Sequence, residues 1–560
     1  MHNRSFSISA CSILLTACAT IPPGPPAQPV PVEIQILGLN DFHGNLETPS
    51  APISIIMADG TKLDTRVGGA AQLTTTLRSL RTGRSVTVSA GDMIGASPLV
   101  SAYFLDEPTI QAMNAAGVDI AAVGNHEFDK GSAELLRMAK GGCDKHTTRV
   151  PCRLEPFGGA SFEFLAANVR TASGATLFPA TAIRRFGPVT IGFIGMTLKE
   201  TQTLVTPAGV AGLSFTDEAA TANALVHGLK AAGADTVVLV IHEGGRTKEV
   251  YRESGCDGLS GPILDIADKL DPAIRTIVSG HTHNAYACEI DRGGAKRMLT
   301  GAGRYGYFVS DVRLTFDPAG RTLVGQRAIN VPVLGERFAA EPGVDRLVKR
   351  YVTAAAPAAA RVVGRLSGPA AVSEVDDESP AANLIADAQL AATRAPNRGG
   401  AQVSLINATG VRTDLVPNAR GEITYGQIFA MQPFGNNLVV KTLTGAQLKA
   451  VLEQQFGVRD GVARVKSLLA PSAGFRFGYD LDQPEGQRIL WMTLDGKPID
   501  PTARYRVTVN NFLSSGGDGF SALTQGTDTF DAGLDLDALE AWLAKGQAVP
   551  PTGRTVGKFR

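Results

Sequence analysis

The chain has 560 residues with 53 basic and 53 acidic side chains, a formal net charge of zero. That length exceeds what one hydrophobic core can serve and predicts two or more domains. An apolar fraction of 44% and a charged fraction of 19% describe a globular protein, and the balanced charge leaves no basic field for nucleic acid or an anionic membrane surface, so no nucleic-acid partner is expected.

The first residues read as an export signal. His2 and Arg4 precede an apolar run over 6–15 that ends in small residues. The run is too short to span a bilayer. Leu15-Thr16-Ala17-Cys18 resembles a bacterial lipobox, in which the cysteine takes a lipid, while Ala17-Cys18-Ala19 also fits an ordinary signal-peptidase site. Residues 1–18 are therefore expected to be a signal, and the proline-rich 19–31 an extended tether. The expected location is the periplasm or cell envelope, with an outer-membrane anchor through Cys18 in the lipobox reading. Beyond Cys11 and Cys18 the chain holds Cys143, Cys152, Cys256 and Cys288. Four cysteines in an exported chain allow three pairings. Cys143–Cys152 and Cys256–Cys288 are favoured because each closes a local excursion. None has the CxxC spacing of a zinc knuckle.

Past the tether, five apolar runs each end in a polar cluster. Residues 34–39 run into Asn40-Asp41-Phe42-His43-Gly44-Asn45. Residues 86–89 run into Ala90-Gly91-Asp92, and 120–123 into Gly124-Asn125-His126-Glu127-Phe128-Asp129. Residues 236–241 run into His242-Glu243-Gly244-Gly245, and 274–278 into Ser279-Gly280-His281-Thr282-His283-Asn284. Short Val/Ile-rich runs separated by helical patterns over 70–80, 109–116, 132–139 and 218–232 predict βα units of an α/β fold. Such sheets gather ligands at the carboxyl ends of their strands, which is where all these clusters lie. Five of the chain's eight histidines fall in them; His146 and His227 do not, and read as structural or exposed.

Carboxylate, imidazole and amide are ligands for divalent transition metals, and the lack of thiolate argues against a structural zinc site. An aspartate can bridge two cations, which then clamp the attacking and leaving oxygens of an in-line displacement, and metal coordination lowers the pKa of water toward ~7.

In order and spacing, Asp41-x-His43, Gly91-Asp92, Gly124-Asn125-His126-Glu127, His242 and Gly280-His281-x-His283 resemble the motif set of the calcineurin-like metallophosphoesterases. The longer forms around Asp41 and His126 resemble the 5′-nucleotidase/UDP-sugar hydrolase branch. The resemblance implies a four-layer α/β sandwich over 32–338, and a second, α+β, nucleotide-binding domain over 367–560. It implies two divalent ions (Mn, Zn or Co), one held by Asp41, His43, Asp92 and His283, the other by Asp92, Asn125, His242 and His281. His126 would meet the phosphate as a catalytic residue, stabilising charge or protonating the leaving oxygen, and Asp129 would orient its ring. Glu127 is expected to make a structural hydrogen bond.

Residues 339–366 have helical composition with Pro357 inside, and read either as a connector helix or as the first helix of the second domain. After His283 the chain has no further histidine, so the second half is expected to bind substrate. Asn407-Ala408-Thr409-Gly410-Val411-Arg412, the Phe434 loop and the block from Asn510 to Phe520 each adjoin an apolar run. Alone, Phe434 and Phe512 also fit core positions. The family resemblance implies that they stack a base, that Asn407 and Arg412 contact substrate, and that Asp518 binds ribose hydroxyls. One departure stands out. Family arginines that help hold phosphate are missing from 372–380, which is acidic here, and its repulsion is expected to weaken phosphate binding or alter substrate choice. The expected activity is hydrolysis of nucleotides by attack of activated water on phosphorus. UDP-sugar hydrolysis, 2′,3′-cyclic phosphodiesterase activity, a thiosulfohydrolase-like reaction and non-catalytic nucleotide binding at the surface are the alternatives.

Overall fold

The apolar runs of the first half become strands of two six-stranded sheets in the computed structural model, which describes residues 1, 30–147, 149–317, 321–373, 376–459 and 462–558. The signal and nearly all of the tether expected over 1–31 lie outside the described residues.

The first sheet runs Thr322–Pro332, Phe308–Asp317, Val32–Leu39, Ser85–Ala90, Ile120–Ala122, Glu163–Leu165. The second runs Ala285–Arg292, Ala295–Ala302, Ile274–Ser279, Thr236–His242, Val189–Thr197, Thr181–Phe186. The inner strands pair in parallel. The sheets meet face to face through Ile34, Ile36 and Val88 on one side and Ile191, Phe193, Val238 and Val240 on the other. On the outer face of the first sheet, Leu37 and Leu39 pack against Leu73, Leu77, Ile110 and Met113 of two helices, Ala70–Leu80 and Glu107–Ala116. On the outer face of the second, Leu239 and Ile241 meet Val226, Leu229 and Ile263 of helices Glu218–Ala231 and Pro262–Lys269. This is the expected four-layer sandwich. Strands covered on both faces carry no polar alternation, and Thr236–His242 is buried at every position.

The helix expected over 109–116 starts at Glu107, with Pro108 in the first turn, where its missing N–H costs nothing. Asp217 caps Glu218–Ala231 by accepting from the Ala220 amide at 3.0 Å. The outer antiparallel strands, such as Phe308–Asp317 and Thr322–Pro332, were not read from the sequence. The last of these alternates exposed and half-buried positions before its buried end, a weaker signal than a continuous apolar run. Both favoured disulfides, Cys143–Cys152 and Cys256–Cys288, are formed.

Within 339–366 lies the helix Pro342–Ala359, capped by Glu341. Val344 and Val348 join the first domain's outer core, and Tyr351 and Ala355 pack on Phe104. Strand Val362–Arg365 then pairs with Glu422–Thr424. The second domain centres on a five-stranded sheet, Leu469–Pro471, Val403–Asn407, Arg504–Asn510, Asn437–Thr444, Thr527–Leu534. Helices Pro380–Thr393 and Asp535–Leu543 cover one face, and helix Gly445–Glu453 with a four-stranded sheet covers the other.

The two domains share a core. Leu99 and Ala102, in the short helix Leu99–Ala102 that follows the Asp92 loop, are buried with Leu366, Ala382, Ile428 and Phe429. From the Cys143–Cys152 loop, Arg149 lies over Phe429 at 5.2 Å and donates to the Ala102 carbonyl at 2.6 Å. Among the described residues no helix is long and apolar enough to cross a membrane. Leu99→Ala is expected to cost about 2–5 kcal/mol by cavity formation. Hydrogen exchange should speed up on both Leu99–Ala102 and the second-domain helices around it. Faster exchange in the first domain alone would contradict a shared core.

Candidate metal centre and substrate face

Parallel strands deliver the candidate ligands to one edge of the sandwich. Asp41 and His43 follow Val32–Leu39, Asp92 follows Ser85–Ala90, and Asn125 follows Ile120–Ala122. His242 ends Thr236–His242, and His281 and His283 follow Ile274–Ser279. Their ligand atoms form two groups, Asp41 with His43 and His283, and Asp92 with His242 and His281, each within 4.8 Å. Asn125 joins the second group, its Oδ1 being 3.1 Å from His242 Nε2. Asp92 Oδ2 faces both groups, 3.0 Å from His242 Nε2 and 3.7 Å from His43 Nε2.

The protein itself sets the imidazole tautomers. His242 Nδ1 donates to the Ala90 carbonyl at 2.7 Å, and His43 Nδ1 to the Gly95 carbonyl at 2.9 Å. Both rings therefore aim Nε2 inward, as metal-ligating histidines do. His43 Nε2 and His283 Nε2 face each other at 3.2 Å. Asp41 Oδ1 is buried with no hydrogen-bond partner, 3.4 Å from His283 Nε2. Lone pairs converging on lone pairs in a buried space are unfavourable until a cation sits among them, so the donor set fits two metal ions. Competing charges mark the same place. Burial opposes charge on His242, but the Asp92 carboxylate outweighs it and pushes the pKa up to about 10. Burial and the nearby His242 push His281 down to about 3.

The backbone is strained to make this geometry. Asp41, His43, Asp92, His281 and His283 have φ of 50°, 46°, 50°, 69° and 60°, a left-handed conformation that costs non-glycine residues roughly 1–2 kcal/mol each. Local hydrogen bonds hold it. His43 N donates to the Asp92 carbonyl at 2.9 Å, His281 N to Asp41 Oδ2 at 2.9 Å, and His126 N to Asp92 Oδ1 at 2.9 Å. Gly124 is required, because a Cβ there would lie 2.2 Å from Asp92 Oδ1. Glu127 accepts from the amides of Gly124, Asp92 and Met93 at 2.5, 2.9 and 2.9 Å. Burial first, and then Asp92, pushes its pKa up to about 7.

His126 stands beside the metal groups, its ring 5.2 Å from that of His43. Its Nδ1 is 2.9 Å from Asp129 Oδ2. Burial works against the imidazolium, but Asp129 and Asp92 outweigh it and raise the His126 pKa. The second domain reaches the same spot. The Phe434 ring stacks on His126 at 6.0 Å and 19°, and the Arg412 guanidinium lies 5.8 Å from the Phe434 centroid. The Arg412 charge is felt at both His126 and His283. Asn437 N donates to Asn511 Oδ1 at 3.0 Å, which ties the Phe434 loop to the segment carrying Phe512. Phe512 is partly buried against the second-domain core. Asp518 Oδ2 accepts from Asn407 Nδ2 at 2.8 Å and from Thr409 Oγ1 at 2.5 Å. His146 and His227 are exposed and belong to neither metal group.

Two features were missed in the sequence. Glu378, in the acidic stretch expected to repel phosphate, is buried. It accepts from the backbone amides of Gly553, Arg554 and Thr555 and from Asn383, so its charge is satisfied inside the second domain. Arg304 and Tyr305 sit at the metal edge, with the Tyr305 ring 6.0 Å from His43 and its amide donating to the Asp41 carbonyl at 2.7 Å. Their signal was present: Gly303-Arg304-Tyr305-Gly306 is another polar cluster closing an apolar run, but without metal-ligand chemistry.

Chelation should relieve no strain and remove the cations that offset it. The metal-free protein is expected to melt several degrees lower by calorimetry, in line with stabilisation of roughly 3 kcal/mol when a ligand is present at 100 times its Kd. Readdition should restore the melting temperature with two ions per chain by elemental analysis. An unchanged melting temperature on chelation would contradict a metal centre built on these residues.

Residues 34–285 match the family described as calcineurin-like phosphoesterase, and residues 362–525 match 5′-nucleotidase, C-terminal domain. Endonuclease YhcR of Bacillus subtilis is 29% identical over 86% of this chain, and cell wall protein Lmo0130 of Listeria monocytogenes is 29% identical over 88%. The chain spans 37% and 64% of the length of these two relatives. The crystal structure of a 5′-nucleotidase precursor from Thermus thermophilus superposes with a TM-score of 0.75 at 26% identity, covering 94% of this chain and 99% of that one. Both matched regions fall on the two domains seen in the fold, and the chain belongs to the 5′-nucleotidase family of calcineurin-like phosphoesterases.

Proposed function

We propose that this protein is an exported two-metal phosphohydrolase that releases phosphate from nucleotides. The observation that carries this reading is Asp92 Oδ2 facing both ligand groups beside a His126–Asp129 pair on which the second domain lays an aromatic ring. In this reading residues 32–338 hold the chemistry, 367–560 hold the nucleoside, and 339–366 join them.

Asp41, His43, Asp92 and His283 hold one divalent ion, and Asp92, Asn125, His242 and His281 the other; the imidazole and carboxylate donors suit Mn, Zn or Co. Such a pair supplies Lewis-acid charge to the phosphoryl oxygens and activates water at neutral pH. His126 donates its Nε2 proton to the leaving oxygen. Asp129 holds the Nδ1 hydrogen, so Nε2 points to substrate, and it favours the imidazolium needed for donation. Phe434 and Phe512 stack the base, a contact worth ~1–3 kcal/mol per base. Arg412 meets the phosphate and Asn407 the nucleoside. Asp518, oriented by Asn407 and Thr409, accepts from the ribose hydroxyls.

Export fits the signal pattern over 1–18 and the two disulfides, which persist in oxidising compartments. Lipid attachment at Cys18 predicts that Cys18→Ala abolishes incorporation of labelled fatty acid; labelling of that variant would remove the anchor from the account.

The activity test is phosphate release from AMP, and nucleoside monophosphate formation from UDP-glucose and cyclic nucleotides, by metal-loaded protein. His126→Ala should lower kcat by about 10²–10⁴-fold with two metals retained. Loss of metal in that variant would show that His126 is a ligand, and no release from any nucleotide would contradict the reading as a whole. Asp129 raises the His126 pKa, so Asp129→Asn lowers it. The proton donor is then lost at lower pH, and the alkaline limb of the kcat profile should move down in pH.

A further inference from the structure

Arg304 has no part in the mechanism above, yet it is placed beside the candidate metal ligand His283. It stands in the turn 303–306 between strands Ala295–Ala302 and Phe308–Asp317. Its guanidinium lies 4.6 Å from the centre of the Tyr305 ring, with Tyr251 and Tyr307 nearby. The tyrosine rings lock each other edge-on, Tyr251 with Tyr307 at 5.6 Å and Tyr305 with Tyr307 at 5.7 Å. The pocket is aromatic and neutral. Among the described residues no ion pair joins Arg304 to a carboxylate, and its Nε is buried with no hydrogen-bond partner. A guanidinium carries five N–H donors and no acceptor and stays charged at every working pH. Holding it half-buried without an anion is costly.

Its remaining contact does not supply that anion. Arg304 Nη1 is 3.4 Å from His283 Nδ1. The other nitrogen of that ring, Nε2, faces Asp41 Oδ1 at 3.4 Å and His43 Nε2 at 3.2 Å. The contact with His283 Nδ1 engages one N–H of the guanidinium and leaves its charge without an anion. A second cation comes to the same edge from the other domain: the Arg412 guanidinium lies 5.8 Å from the centre of the Phe434 ring, which itself stacks on His126 at 6.0 Å.

We propose that Arg304 is a substrate-binding residue which, with Arg412 across the domain boundary, clamps the non-bridging oxygens of the phosphoryl group. This rests on the phosphoesterase reading and deepens it. The first domain thus supplies the arginine that 372–380 lacks, and the clamp is complete only when both domains face the metal edge. The planar fork of arginine suits two phosphoryl oxygens at once. The tyrosine pocket limits the orientations the fork has to lose on binding.

The test is calorimetric titration of metal-loaded full-length protein with inorganic phosphate, the reaction product, alongside kcat and KM for AMP. Arg304→Met is expected to bind phosphate about 10- to 100-fold more weakly, the range for one charge-assisted hydrogen bond to a fork. KM should rise more than kcat falls, with two metals per chain and an unchanged melting temperature. Arg304→Lys keeps the charge without the fork and should recover part of the affinity. It also serves as the second variant if Arg304→Met folds poorly. Wild-type phosphate affinity in Arg304→Met would overturn the clamp. So would loss of metal from it, which would make Arg304 a support for His283. The two readings fail separately. If phosphate binding is strong and sensitive to Arg304→Met but no nucleotide is hydrolysed, the clamp stands and the nucleotide reading falls. If AMP is hydrolysed and phosphate binding ignores Arg304→Met, the reverse holds.

Discussion

A carboxylate buried between two sets of imidazoles constrains everything else in this protein. Asp92 is 1% exposed, and a lone ionised carboxylate at such a depth would cost several kcal/mol. The His126 amide on Oδ1 offsets part of that cost, and the cations that Oδ2 and the imidazoles facing it fit would offset more. Those imidazoles come from both sheets, so the sandwich must bring two strand edges together for the carboxylate to be tolerated. The same demand explains the left-handed backbone at Asp92, Asp41, His43, His281 and His283. Each ligand has to turn sharply out of its strand end, and local strain is accepted where the surrounding hydrogen bonds over-determine the conformation. Gly124 and Glu127 serve this arrangement without being ligands. One leaves room for Asp92 Oδ1, and the other ties the 91–94 loop to the 124–127 turn through backbone amides.

The Asp92 loop is also where the domains join. Its continuation, Leu99–Ala102, is buried in the second domain's core. A rotation of the second domain must therefore either break that packing or pull on the segment that carries the candidate ligand Asp92. The substrate side is joined in the same way, with Phe434 of one domain on His126 of the other. In the proposed function, chemistry and recognition meet at this seam, and the proposed Arg304–Arg412 clamp would read whether the seam is closed around a phosphoryl group.

Much of this was legible in the chain, for a definite reason. Parallel strands buried on both faces are continuous apolar runs, and their polar ends stand out against them, so the strand ends, the gathered histidines and the α/β class could be read from 34–284. The disulfides were legible because four cysteines past the first 18 residues lie in two local excursions. Less legible were parts whose signal is weak by nature. The outer antiparallel strand Thr322–Pro332 alternates and is half exposed. The neutralisation of Glu378 depends on amides at 553–555, distant in sequence. Arg304 looks like an ordinary turn residue, and only the fold shows that its neighbours are tyrosines and a metal-side histidine rather than water.

The central claim is that one aspartate joins two metal sites. The most direct measurement is anomalous diffraction from crystals of the metal-loaded protein at the absorption edge of the bound metal. The account predicts two peaks about 3.5–4 Å apart with Asp92 between them, one also reached by Asp41, His43 and His283, the other by Asn125, His242 and His281. A single peak, or two peaks that do not share Asp92, would contradict it.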